Sequence, residues 1–253
     1  MAVWHVSTIA PEAAEVAREY GLGLEIAHFC TPYNMDDDFG YWDGLVRKDI
    51  QGVSGVTLHA PFSELCGAAI DPLVREVTRH RFEQAYQLAL GYGATRMVVH
   101  SGFLPVLYDV DWFAEQLAAF WRGFLQAHEG DCLIVLENVF ETEPGMLARI
   151  ASEVDDPRFW LCLDLGHANT SGAGAPLDEW VKTMGPHLAH VHVHNNHGDF
   201  DHHLLPSEGS IDMRAVLPVL HGLSEDVSFA LECQKPRAAV EWLQQNALLW
   251  NRD

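Results

Sequence analysis

The sequence lacks any hydrophobic run long enough to cross a lipid bilayer. Charged residues or histidines interrupt every apolar stretch well before the roughly 20 residues that a spanning helix needs. Residues 1–9 also lack the basic region, apolar core and small-residue cleavage site of a secretory signal. We therefore expect a cytoplasmic protein with no membrane partner.

Basic residues and paired cysteines are scarce as well. Lys and Arg total 15 against 36 Asp and Glu, for a formal net charge of −21. A surface of that sign repels a nucleic-acid backbone outside any local basic patch, so nucleic acid is not an expected partner. The five cysteines form no C-x-x-C motif and are odd in number, which favours buried free thiols over disulfides.

Short β-branched runs alternate with longer segments of helical periodicity along the whole chain, a pattern typical of parallel strands joined by crossover helices. Asp71-Pro72 begins one such helix, with an N-cap followed by proline at the first helical position. The predicted strands are Val3 to Val6, Leu22 to Ala27, Val56 to His59, Met97 to His100, Leu133 to Glu137, Trp160 to Asp164, Ala189 to His194 and Val227 to Glu232. Strict alternation without a linker favours one α/β domain over residues 1–253, a closed (β/α)8 TIM barrel rather than an open doubly wound sheet.

In a TIM barrel the active site lies at the C-terminal ends of the strands. Six of the last seven predicted strands end in a possible metal ligand or are followed at once by one. These residues are His59 in TLHAPF, His100 in VVHSGF, Glu137 in VLENVF, Asp164 and His167 in LCLDLGHAN, His192 in HVHVHNN and Glu232 in ALEC, and the loop DFDHHLLPSEGS adds Asp201 and His203. Neutral imidazole and carboxylate are ligands that Zn, Mn, Fe and Co accept, so the pattern predicts a metal site.

A salt bridge is the alternative explanation for a carboxylate that ends a hydrophobic strand. Glu137 and Asp164 would be costly to bury without a partner, and either a metal or a Lys or Arg could serve. Because basic residues are few and none ends a predicted strand, the metal is favoured. Isolated histidines more often satisfy a backbone hydrogen bond, and we place in that class His5, His28, His80, His128, His187 and His221.

Three histidines alternate along the seventh predicted strand. His190, His192 and His194 therefore project to the same face of the barrel wall at different depths, and only one near the mouth is needed as a ligand. His194, Asn195 and Asn196 either support the ligands or belong to the loop, and the sequence leaves both interpretations open.

The run LENVFETEP, then CLDLGHAN, HVHVHNNHGDFDHHLLPSEGSID and LEC, resembles the xylose isomerase-like TIM barrel superfamily over essentially the whole chain. That superfamily groups sugar-phosphate isomerases and epimerases with endonuclease IV. The resemblance implies the four-ligand site that the isomerase and epimerase branch uses for Mn or a similar ion, formed by Glu137, Asp164, His192 and Glu232. It also implies the additional ligands with which the endonuclease IV branch holds three zinc ions, namely His59, His100, His167, Asp201 and His203.

Two positions depart from the superfamily pattern. Asn195 stands where an Asp is common, and Ser101 replaces the Pro of the usual His-Pro-Gly. Neither change removes a ligand, so the expected cofactor is one to three divalent ions, Zn or Mn, by analogy with the two branches.

Two enzymatic functions fit this pattern. The first is a metal-dependent isomerase or epimerase of a sugar or sugar phosphate, in which Glu137 and Glu232 transfer a proton through an enediolate. The alternative is a multi-zinc phosphoester hydrolase of the AP endonuclease type. Phe62 and Tyr33 are the only obvious candidates to wedge into DNA, and a packing role is equally open for each. A non-catalytic metal-binding barrel is the third hypothesis. The net charge favours the first, with a small-molecule sugar as partner, and a homo-oligomer is compatible with it.

Overall fold

Eight parallel strands close into a barrel in the computed structural model, which describes residues 3–170 and 174–250. Each strand pairs with its neighbours in chain order, and the first strand pairs with the eighth. The strands are β1 (Trp4–Ser7), β2 (Gly23–Ile26), β3 (Val56–His59), β4 (Arg96–His100), β5 (Leu133–Glu137), β6 (Phe159–Asp164), β7 (Leu188–Val193) and β8 (Ser228–Leu231). The predicted (β/α)8 TIM barrel is confirmed. Three predicted strands extend too far, since Ala27, His194 and Glu232 each come directly after a strand and lie outside it.

Helices connect the strands and pack around the barrel. They are α1 (Ala13–Tyr20), α2 (Phe39–Asp49), α3 (Pro72–Gly91), α4 (Val110–Ala127), α5 (Gly145–Val154), α6 (Leu165–Thr170), α7 (Leu177–Met184), α8 (Met213–His221) and α9 (Pro236–Gln245). Helix α6 begins immediately after β6, which brings His167 back over the end of the barrel. Within the described ranges, no helix combines the length and apolar character that a membrane span requires.

Local sequence signals account for where the helices begin and which face they bury. The Asp71 carboxylate accepts a hydrogen bond of 2.8 Å from the backbone nitrogen of Leu73, which confirms the predicted N-cap of α3. Asp109 caps α4 in the same manner, with a 3.0 Å bond from the Trp112 nitrogen. Residues at helical spacing on α4 are buried against the barrel: Phe113, Leu117, Trp121 and Phe124.

The barrel interior is divided between apolar and polar side chains. A small apolar cluster of Val98, Val135, Cys162 and Ala189 lies on β4 to β7, separate from the main core. Buried polar side chains occupy the interior elsewhere: His5, Ser7, Glu25, Thr57, His190 and Ser228. All five cysteines are free thiols, and four of them are buried, as predicted.

Candidate metal centre

The barrel brings all nine predicted site residues together at the C-terminal mouth. Five of them are buried: His59, Glu137, Asp164, His192 and Glu232. The other four are partly exposed: His100, His167, Asp201 and His203. They fall into sets of three whose candidate ligand atoms lie within 4.8 Å of one another, and Asp201 and His203 form their set with His194.

The first set joins the ends of β3, β4 and β5. Oε2 of Glu137 lies 3.2 Å from Nε2 of His59 and 3.3 Å from Nε2 of His100. The Phe62 ring stacks on His100 with a centroid separation of 4.2 Å. Phe62 therefore packs against a candidate ligand. The sequence left this packing role open as the alternative to wedging into DNA.

The second set joins β6, β7 and the residue after β8, and it includes the other oxygen of Glu137. Nδ1 of His192 lies 3.3 Å from Oε1 of Glu137, and 3.5 Å from both Oδ2 of Asp164 and Oε2 of Glu232. One imidazole nitrogen thus faces three carboxylates, from β5, from β6 and from the residue after β8. Glu137 belongs to both the first and second sets.

The third set lies at the outer edge of the site. Oδ2 of Asp201 is 3.1 Å from Nε2 of His203 and 3.3 Å from Nε2 of His167. His194 stacks on His203 at 4.0 Å between centroids, and its Nε2 lies 3.0 Å from Oδ1 of Asp164. His194 therefore links the second and third sets.

Backbone carbonyls fix the ring orientation of three of these histidines. Nδ1 of His59 donates to the Ala60 carbonyl oxygen at 2.9 Å. Nδ1 of His167 donates to the Asn138 carbonyl oxygen at 2.9 Å, and Nδ1 of His203 donates to that of Glu232 at 2.7 Å. Because a carbonyl can only accept, Nδ1 carries the proton and Nε2 of a neutral ring keeps its lone pair. Each Nε2 faces a carboxylate of the site, as a metal ligand requires.

The donor set fits a divalent cation. Within the described ranges, Glu137, Asp164 and Glu232 have only histidines as ion-pair partners, and no Lys or Arg neutralises them. Nδ1 of His194 and Oδ1 of Asp201 are buried, lie 3.7 Å apart and have no hydrogen-bond partner among the described residues. Several carboxylates and neutral imidazoles with free lone pairs suit Zn or Mn.

The two glutamates have opposite protonation tendencies. Burial raises the pKa of Glu232, and the nearby Glu25 carboxylate adds to the effect. Burial acts in the same direction on Glu137, but His192 and His100 outweigh it and hold the pKa of that carboxyl well below its ordinary value. Of the two, Glu232 is the group better suited to hold a proton.

The carboxylates also act on the histidines of the third set. Burial opposes the charged ring, yet the hydrogen bond that His203 donates to Asp201 and the charge of Glu232 raise the pKa of His203 to about 9. A cation at this position must displace that proton, so its binding there strengthens as the pH rises toward 9.

One residue of this region, Glu25, was missed by the sequence analysis. Glu25 on β2 lies in the barrel below the ligands, 3.3 Å from Nε2 of His192. His190 lies 3.0 Å from Glu25 and therefore belongs to the layer beneath the site. A carboxylate between Leu24 and Ile26 was the available signal, since burying it in an apolar strand requires a partner.

The residues after β7 now have distinct positions. His194 is in the site, against Asp164. Asn195 instead holds the following loop, accepting from the Ile211 nitrogen and donating to the Ile211 oxygen, each at 3.1 Å. Asn196 donates to the Gly166 oxygen at 2.8 Å. Both asparagines thus keep the loop that carries Asp201 against the barrel.

A cavity of about 880 Å³ opens above the ligands. His59, His100, Glu137, Asp201 and Glu232 line it, together with Glu64 and Asp71. Much of the remaining wall is apolar: Phe62, Ile70, Leu104, Leu107 and Phe140. None of the described residues that line this cavity is Lys or Arg.

Comparison with known proteins gives the family of the chain. The family sequence model described as "Xylose isomerase-like TIM barrel" matches residues 7–251. The chain belongs to the xylose isomerase-like TIM barrel family. The resemblance inferred from LENVFETEP, CLDLGHAN and the later motifs is confirmed.

Individual relatives of this xylose isomerase-like protein cover most of its length. The uncharacterized protein MJ1311 of Methanocaldococcus jannaschii is 31% identical over 227 residues, which are 86% of this chain and 75% of the relative. The crystal structure of a D-tagatose 3-epimerase-like protein superposes with a TM-score of 0.76 and 26% identity, covering 98% of this chain and 97% of the other. The TTHB071 protein from Thermus thermophilus, soaked with ZnCl2, has the same fold with a TM-score of 0.76 and 23% identity, covering 99% and 100%.

Proposed function

We propose that this xylose isomerase-like protein is a divalent-metal-dependent isomerase or epimerase that acts on an unphosphorylated sugar. The observation that carries the proposal is the placement of Glu137 and Glu232 at the mouth, 3.3 and 3.5 Å from the same nitrogen of His192. They approach from β5 and from the end of β8, so they can lie on different sides of a bound substrate. Similarity to a D-tagatose 3-epimerase-like protein supports the same class of reaction.

Proton transfer at a carbon next to a carbonyl requires a base and an acid. Glu232, whose pKa burial raises, can accept a proton from the substrate carbon and hold it. Glu137, held ionised by its histidine neighbours, can take part from the other side as base and can also ligate a cation. The pair can therefore remove a proton to give an enediolate and return it to either face or to the adjacent carbon.

Glu137, Asp164, His192 and Glu232 would hold the cation closest to this pair. A divalent ion there supplies electrostatic stabilisation of the developing negative charge on the substrate oxygens. The surrounding protein excludes water from the deep side, because His192 and Asp164 are fully buried. Exclusion of water strengthens every charge interaction at the reacting carbon.

The cavity favours a sugar without a phosphate. Glu64 and Asp71 line it, and the residues described in its wall include no Lys or Arg to pair with a phosphate. A phosphomonoester would bring close to two negative charges into the acidic part of the cavity beyond the metal ligands. The carboxylates there would repel it. A neutral polyol meets no such repulsion, and apolar side chains such as Leu104 and Phe140 can pack against its C–H faces.

A substrate panel tests this function. Metal-replete protein is incubated in D2O with unphosphorylated ketoses and aldoses and with their phosphate monoesters, and NMR follows deuterium at the carbons next to the carbonyl. We expect exchange and a new epimer or isomer from at least one unphosphorylated sugar, at least about tenfold faster than from its phosphate ester. Exchange that is faster with the phosphate ester would contradict the substrate class, and none with any sugar would contradict the reaction.

A phosphoester hydrolase is the second candidate, and the sharing of carboxylates between sets favours it. Glu137 belongs to both the first and the second set. Asp164 belongs to the second set and also contacts His194, which links it to the third set. Such bridging suits several metals about 3.5 to 4 Å apart, as in hydrolytic sites. The acidic cavity and the net charge of −21 oppose a DNA substrate.

Binding of DNA separates the two candidates. We expect no sub-micromolar affinity for an abasic duplex at about 0.15 M salt, because few basic residues are available to displace counterions. Fluorescence anisotropy with a labelled abasic duplex measures this directly. Tight binding accompanied by strand cleavage would replace the isomerase proposal with the hydrolase.

A further inference from the structure

A fully buried carboxylate lies in the barrel directly beneath the candidate metal ligands. Glu25 on β2 has no exposed surface, and its strand pairs with β3 so that Glu25 faces Thr57 in register. The proposed proton transfer does not involve Glu25. A buried carboxylate needs compensating partners, so the contacts of Glu25 indicate what it does.

One oxygen of Glu25 is held by two donors. Oε2 accepts a hydrogen bond of 3.0 Å from Oγ1 of Thr57 and lies 3.0 Å from Nε2 of His190. Nδ1 of His190 lies 2.7 Å from the hydroxyl of Ser228. These contacts join β2, β3, β7 and β8 and set the position of the carboxylate.

The other oxygen faces a candidate metal ligand. Oε1 of Glu25 lies 3.3 Å from Nε2 of His192, while Nδ1 of the same ring faces Glu137, Asp164 and Glu232. Neither Oε1 nor this Nε2 has a hydrogen-bond partner among the described residues, and the two atoms face each other as an ion pair at 3.3 Å. Each atom is therefore the polar neighbour available to the other.

We propose that Glu25 is a positioning residue that fixes the orientation and the tautomer of His192. A carboxylate can only accept, so when Nδ1 binds a cation in place of its 3.3 Å contact with Glu137, the Glu25 carboxylate holds the remaining ring proton on Nε2. This role rests on the proposed function, in which His192 is a metal ligand. It extends that function to a residue that touches neither substrate nor cation.

A metal bound by Glu25, His190 and His192 themselves is the alternative, since their ligand atoms lie close enough together. The hydrogen bonds argue against it. Oε2 already accepts from Thr57, and His190 is held between Glu25 and Ser228. Because these atoms already take part in hydrogen bonds, they are better suited to supporting His192 than to binding a cation.

Glu25→Gln is the informative variant, because the amide keeps the size of the side chain but has one acceptor and one donor end. With the amide oxygen held by Thr57 and His190, its NH2 group faces Nε2 of His192 and requires that nitrogen to accept. The proton of His192 then moves to Nδ1, where it blocks the cation. The matched control is Glu141→Gln, another buried glutamate, which accepts from Ser101 and from the Val139 nitrogen.

The tautomer is read by long-range ¹⁵N–¹H NMR of the histidine rings in Zn²⁺-loaded protein. We expect Nε2-protonated His192 in the wild type and in Glu141→Gln, and Nδ1-protonated His192 in Glu25→Gln. An Nδ1 proton on wild-type His192 would overturn the proposal without any variant. Retention of the Nε2 proton in Glu25→Gln would overturn it as well.

Chelator competition with Mn²⁺ or Zn²⁺ gives a second measurement that needs no sugar. We expect Glu25→Gln to bind the ion about 10- to 100-fold more weakly than the wild type, with Glu141→Gln unchanged. Equal affinities in Glu25→Gln and wild type, or equal losses in both variants, would count against a positioning role. Tight metal binding without sugar turnover would contradict the proposed function but leave this proposal standing.

Discussion

Replacing Glu232 with Gln is expected to leave the metal bound and to lower solvent-deuterium exchange into the sugar substrate by at least about 100-fold. Glutamine keeps the size of the side chain and one coordinating oxygen, but it cannot accept a proton at neutral pH. The variant therefore tests proton transfer by this residue separately from its binding of metal.

The position of Glu232 explains the size of the expected effect. It follows β8 at the cavity wall, and burial raises the pKa of its carboxyl. A base with a raised pKa next to the substrate holds a proton more readily than an ordinary carboxylate. Glu137, with its lowered pKa, is the weaker proton acceptor of the two.

The control is Glu141→Gln, in which a buried glutamate outside the ligand sets is changed in the same way. Metal content and the exchange rate are measured on both variants after identical metal loading. Unchanged exchange in metal-replete Glu232→Gln would remove Glu232 from proton transfer and leave it as a ligand.

Glu137→Ala is the second change with a large expected effect. Its two oxygens face His59 and His100 on one side and His192 and His167 on the other. Loss of the carboxylate therefore weakens two ligand sets at once. We expect metal content to fall by at least about one ion per chain and deuterium exchange to become undetectable.

Metal analysis after dialysis against metal-free buffer checks this prediction. Glu141→Ala serves as the control, since it also removes a buried carboxylate and leaves the ligand sets intact. Full metal occupancy in Glu137→Ala, at the level of the control, would mean that the cation binds elsewhere.

Much of the site could be predicted because each strand of a TIM barrel ends at the same mouth. A polar residue that closes an apolar run, such as Glu137 or Asp164, can be found without knowing its neighbours. The fold then brings these residues together, as seen for His59, His100 and Glu137. No strand fixes the position of the loop residues Asp201 and His203, which were predicted from the ligand-type side chains in DFDHHLLPSEGS and were also implied by the family resemblance.

The remainder depended on contacts between residues far apart in the sequence. Glu25 and His190 are separated by 165 positions, and only barrel closure makes them neighbours. The same applies to Asn195, whose role follows from hydrogen bonds to Ile211 across the β7 loop. His194 could not be assigned from alternation alone, since its contact with Asp164 depends on the close approach of Gly166, where a side-chain carbon would collide with the His194 ring.

The most direct test of the central claim, a divalent metal centre on the strand ends, is the metal content of the purified wild-type protein. Elemental analysis after dialysis, combined with anomalous diffraction from crystals of the loaded protein, gives the identity, number and position of the ions. We predict between about one and three Zn or Mn ions per chain, removable by chelator, with at least one bound by Glu137, Asp164, His192 and Glu232. A protein that retains no divalent ion at saturating metal, or that binds it away from these four residues, would contradict the account.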